Sequence, residues 1–138
     1  MKILDTNIFL RALTAAVTPQ DAQMQGASEH LFNRLIDGHE EVTTVDAVIH
    51  ELFYILCANN HYGLPHDDAA RRVLTIVGEP GFRMPRKAAV LAAIQIFGRN
   101  EKLDFTDCLL AVYANEDGHD LTTFDRELAN EAGVPVFT

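Results

Sequence analysis

Short β-branched runs alternate along this chain with longer runs whose apolar residues recur at helical spacing, and that order limits the fold more than any other feature. "KIL" is the first candidate strand, and "IFLRAL", after the turn Asp5-Thr6-Asn7, starts a helix. A second helix is expected over "QDAQMQGASEHLFNRLID", stopping at Gly38, a residue suited to a helix C-terminus. "EVTTV" follows as a strand. Val45, Val48, Ile49, Leu52, Phe53 and Leu56 then fall at i, i+3, i+4 and i+7, which predicts an amphipathic helix ending near "NNHYG". "LPHDDAARRVLTIVG" predicts a helix with acids in its first turn and glycine at its end. "GFRM" is a candidate strand and "PRKAAVLAAIQIFG" a helix opened by Pro85. The last third reads helix, strand, helix, strand: "DFTDCLLAVYANEDG", "HDLTTF", "DRELANEAG", "VPVF". Strands joined through helices imply βαβ crossovers. The expected fold is therefore a single α/β domain over residues 1–138, an α/β/α sandwich around a mostly parallel central sheet, with no repeat or linker.

The chain is 48% apolar and 22% charged, enough apolar surface to offset chain entropy. Its formal charge of -9 argues against non-specific nucleic-acid binding, which rests on Lys and Arg neutralising phosphates. A nucleic-acid substrate would need positive charge from elsewhere, and a divalent cation supplies it. Cys57 and Cys108 form no CxxC pair and lie in apolar runs, so they read as core residues rather than zinc ligands or a disulfide. Asp5 interrupts the first apolar run too early for a signal-peptide core, and "CLLAVYA" is too short to span a bilayer. A cytoplasmic protein with no membrane partner is expected.

In open parallel sheets, functional groups gather beyond the carboxyl ends of the strands. Asp5 follows the first strand and Asp125 follows "TTF". Glu51 falls on the flank of the apolar stripe of its helix, beside Val48 and Ile55. Asp107, in the first turn of its helix, has Leu103, Leu110, Ala111 and Ala114 as helical neighbours, so it occupies a face that is otherwise apolar. A lone carboxylate there is costly without a partner. Each acid also has a local explanation. Asp104 and Asp107 are spaced like an N-cap and its third-position partner, Asp125 can cap "RELANEAG", Asp5 can be a turn residue, and Glu51 a helix-edge acid. Together, clustered carboxylates repel and are tolerated when a cation sits among them or a proton is shared. An oxygen-only site suits Mg²⁺ or Mn²⁺, and the chemistry built on such sites is phosphoryl transfer.

Competing motifs fail. "HELFY" around His50 lacks the second histidine of HExxH, and no GxxxxGK[ST], GxGxxG or GxSxG occurs. The six histidines are scattered, and Arg71-Arg72 and Arg86-Lys87 read as solvated helix faces.

"ILDTNIFLRAL", the glutamate in "VIHELFYIL", "LDFTDCLLAVYA" and "LTTFDREL" resemble, in order and spacing, the four acidic motifs of PIN-domain ribonucleases, particularly the VapC toxins of toxin-antitoxin pairs. The resemblance implies Mg²⁺- or Mn²⁺-dependent endonuclease activity on RNA. It places the four family acids on Asp5, Glu51, Asp107 and Asp125, as metal ligands and catalytic groups. Asn7 and Thr123 become polar helpers that orient a carboxylate or a water, and Asp104 matches an acid often found ahead of the third motif. It further implies a small antitoxin protein as partner and a homodimer, for which apolar residues on the early helices are candidates. Two rival readings are an acid-cluster phosphotransfer or phosphatase domain, against which the missing second aspartate of a DxD motif weighs, and a non-catalytic module that only grips an antitoxin.

Overall fold

The computed structural model describes residues 1–138. Strand β1 (Lys2–Ile3) leads into α1 (Thr6–Leu13) and α2 (Pro19–Ile36), and β2 (Val42–Thr43) into α3 (Asp46–Cys57). Helices α4 (His66–Val77), α5 (Lys87–Arg99), α6 (Phe105–Asp117) and α7 (Arg126–Ala132) complete the chain. Every expected helix forms within a few residues of its reading, because the cues were local ones. Thr18 and Asp21 close a capping box with Pro19 in the first turn of α2, Asp104 and Asp107 close another at α6, and Gly118 and Gly133 end α6 and α7 in the left-handed region.

The sheet is smaller than expected. β1 and β2 pair in parallel, Lys2 against Val42 and Ile3 against Thr43, across the α1–α2 crossover. "GFRM" contributes only a parallel bridge from Phe82 to Val42, held by Val42 N–H to Gly81 O at 3.0 Å and Arg83 N–H to Val42 O at 2.8 Å. "HDLTTF" and "VPVF" form no strand and meet through one backbone bond, Phe137 N–H to Thr123 O at 2.8 Å, beside an edge contact between Phe124 and Phe137. Parallel strands need cover on both faces, whereas Phe124 stays 78% exposed, and Pro135 lacks an N–H to give. Parallel pairing is thus seen, but most of the expected central sheet is replaced by helix packing.

The core runs from Leu4 to Ala132 as one cluster. Phe9 packs on Phe32 and Phe82 between α1, α2 and the bridge, with centroids 5.7 and 6.0 Å apart. Phe53 packs on Phe97 and Phe105 where α3, α5 and α6 meet, at 4.4 and 5.7 Å. Cys108 is buried as expected, while Cys57 is only half-buried, and both thiols are free. The two basic pairs are not simply solvated. Arg72 reaches across to Leu13 O at 2.9 Å, half-buried Lys87 donates to Glu79 O at 2.6 Å, and Arg86 sits over the Tyr113 ring while pairing with Asp117. No helix is long and apolar enough to cross a membrane.

Candidate active site

Leu4 is fixed on both sides, its N–H to Thr43 O at 2.9 Å and its carbonyl accepting from the buried Thr44 hydroxyl at 2.8 Å, so the next residue leaves the sheet in a defined direction. That residue is Asp5. It is exposed and caps α1, its Oδ1 accepting from Thr6 N–H at 2.7 Å. Thr6 itself is 3% exposed, and its hydroxyl donates to Glu51 Oε2 of α3 at 2.9 Å. One residue therefore links the first and second acids. Asn7, the expected helper in this turn, is exposed, and the polar bridge is made by its neighbour Thr6. A β-branched hydroxyl in the first turn, on the helix face that Phe9 and Leu10 bury, was the signal for it.

The third and fourth acids gather at the N-termini of α6 and α7. Asp104 Oδ1 accepts from Asp107 N–H at 2.8 Å, and Asp107 Oδ2 accepts from Asp104 N–H at 3.3 Å, so the cap reading of this pair describes its geometry. Burial pushes the half-buried Asp107 carboxyl above the ordinary carboxylate range, and the charges of Asp104 and Asp125 push the same way. The neighbouring Cys108 thiol is pushed up to about 12, by burial first and then by the Asp107 charge, so it is not a nucleophile. Asp125 caps α7, its Oδ1 accepting from Glu127 and Leu128 N–H at 2.9 and 3.1 Å. The Thr123 hydroxyl accepts from Asp125 N–H at 3.0 Å and so orients that cap. His50, the residue before Glu51, sits 2.9 Å from the Thr106 hydroxyl through Nδ1 and ties α3 to the residue before Asp107. This link was not legible beforehand, because its partners lie 56 positions apart.

The four acids therefore stand in one chain of neighbours, but as two groups: Asp5 with Glu51, and Asp107 with Asp104 and Asp125. No three His, Cys, Asp or Glu side chains lie close enough together to hold a metal ion, so the single four-carboxylate cluster expected from the sequence is not drawn together here. The reason is local. Asp5, Asp104 and Asp125 each turn a carboxylate oxygen onto the amides of their own helix, where the helix dipole also favours negative charge, and like charges hold them apart. The donor chemistry still suits a hard divalent cation, since every candidate ligand is a carboxylate.

The PIN domain model matches residues 2–133, a span that contains all four acids. The chain belongs to the PIN domain family. No curated protein matches it. PIN domains are α/β/α folds and are generally nucleases that act on RNA and usually use divalent metals, so this PIN domain is, at that level, a nuclease fold.

Proposed function

We propose that residues 1–138 act as one PIN unit, a Mg²⁺- or Mn²⁺-dependent endoribonuclease resembling the VapC toxins. The observation that carries this reading is the pair of bonds from Thr6 to Glu51 and from His50 to Thr106, each 2.9 Å, which ties three acid-bearing helices together at the end of β1. Asp5, Glu51, Asp107 and Asp125 would hold the ion. When bound, it supplies an activated water at neutral pH and offsets charge on the scissile phosphate. Thr6 holds Glu51 in register with Asp5, Thr123 orients Asp125, and a cation held there would offset the crowding of negative charge at Asp107. Completion of the α/β/α sandwich by residues 119–124 and 134–137 belongs to the same proposal.

The toxin role, a cytoplasmic setting, a small antitoxin protein and a second copy of the chain follow from the likeness to VapC toxins. Val17, Ile36 and Val45, exposed on and between the early helices, offer apolar surface for such partners. The separation of the acids into two groups favours one rival, a non-catalytic module that binds only an antitoxin.

One experiment decides between them. RNA cleavage in millimolar Mg²⁺ is expected to disappear on adding EDTA and in Asp5→Asn. Asparagine caps a helix as well as aspartate does, so loss in that variant reports on chemistry and not on folding. Undiminished cleavage under either treatment overturns the metal-dependent reading, and no cleavage by the unaltered protein favours the binding module.

A further inference from the structure

Beside the acids lies a cavity of about 300 Å³ that the proposed chemistry does not use. One face of α3 supplies its wall through His50, Phe53, Tyr54 and Cys57, at the spacing of successive helical turns. The floor is His66 stacked on Phe97, ring centroids 3.8 Å apart and planes 12° apart, with His66 Nδ1 fixed between Phe97 O and Asn100 O at 3.1 and 3.0 Å. Where α3 meets α6 the cavity borders the acids, since His50 on its wall precedes Glu51 and bonds Thr106, and Asp104 on its rim caps the helix of Asp107. Its volume is near the lower end of the range for small-molecule sites, roughly 300–1,000 Å³, which admits one flat ring system and not a helix.

Charge narrows the class of ligand. Glu101 and Asp104 stand on the rim and repel a phosphate, and Lys102, the one lysine there, is drawn to Glu127 at 3.2 Å. Both rim acids already hold donors of the protein. Glu101 accepts from His66 N–H at 2.8 Å, and Asp104 accepts from Asp107 N–H at 2.8 Å, so each turns one oxygen onto a backbone amide and away from the cavity's apolar lining. A flat, uncharged ring fits what remains. The Cys57 thiol, pushed up to about 11 mainly by burial, stays neutral and adds no charge. Tyr54, 60% exposed at the mouth, offers a ring on which such a group stacks, as unpaired bases of RNA do on aromatic side chains.

We infer that this cavity seats an unpaired nucleobase of the RNA chain next to the phosphate on which the carboxylates act. The assignment rests on the ribonuclease reading above. Its test uses the full chain and a short single-stranded oligoribonucleotide carrying 2-aminopurine, whose fluorescence is quenched on stacking, titrated in Ca²⁺; kcat and KM for RNA cleavage are measured in Mg²⁺. Quenching by the unaltered protein is expected, with Tyr54→Ala weakening it about tenfold, raising KM by a similar factor and leaving kcat within about twofold, and Tyr54→Phe restoring both. Cleavage by the unaltered protein with quenching and KM unmoved in Tyr54→Ala overturns the base pocket and leaves the nuclease standing. Free adenosine, or free arginine, displacing the probe as effectively as unlabelled oligoribonucleotide overturns it too, by assigning the cavity to a free nucleoside or to a cationic side chain. Neither binding nor cleavage of RNA overturns both readings.

Discussion

At Asp107 burial, the Asp104 charge and the Asp125 charge all favour the protonated carboxyl. An acid whose folded pKa is raised binds its proton more tightly in the native state than in the unfolded chain. Its contribution therefore favours the fold at low pH and is lost as pH rises from the ordinary value of 3.8 through the raised one. Removing that charge in Asp107→Asn, in metal-free protein, is expected to leave the melting temperature at pH 7 unchanged or higher by a few degrees, with the difference closing near pH 3. Melting curves across that range check it, and a large drop at pH 7 would show that the negative charge of Asp107 is favourable in the first turn of α6 and not crowded. Thr6 shows a different principle at the same scale. A buried hydroxyl has to find a partner, and the one within reach is a carboxylate 45 positions away, so a packing requirement of α1 sets the position of an acid on α3.

Among the elements, the parallel bridge beside β2 depends on a close approach that only glycine allows. A Cβ on Gly81 would lie 2.7 Å from Glu40 O and 2.7 Å from Leu35 Cδ1, so either the bridge or the end of α2 must shift to take it. Gly81→Ala is expected to destabilise the protein by about 1–3 kcal/mol, the usual effect of forcing a methyl group into packed structure, and urea denaturation measures it. No loss would mean that the bridge between Phe82 and Val42 contributes little to the fold. Helices α4 and α5 meet as closely, where a Cβ on Gly98 would come within 2.9 Å of Ala70 Cβ. Helix packing of this kind, together with the two phenylalanine clusters, holds an α/β chain whose strands are only two residues long.

For the molecule as a whole, a net charge of -9 sets the terms on which RNA is met. A protein this acidic needs a cation before it can hold a polyanion, and binding to the native state alone stabilises that state. Millimolar Mg²⁺ is expected to raise the melting temperature of the protein above its value in NaCl of equal ionic strength, by an amount worth about 2.7 kcal/mol at a hundredfold excess over Kd, and to do so much less in Asp5→Asn. Equal shifts from both salts would reduce the effect to screening of surface charge. The sequence by itself determined the seven helices, the place of Asp5, Asp107 and Asp125 at helix starts and that of Glu51 within α3, because apolar periodicity, caps and terminal glycines act within a few residues of one another. It also determined the family, through four acids in order. The extent of the sheet was not legible, since β-branched runs such as "LTTF" become strands only when other elements cover both faces, and here they do not. Only the tertiary structure decided that the acids stand in two groups joined through Thr6 and His50. Those bonds connect residues 45 and 56 positions apart, and no local pattern encodes which hydroxyl a distant helix will meet.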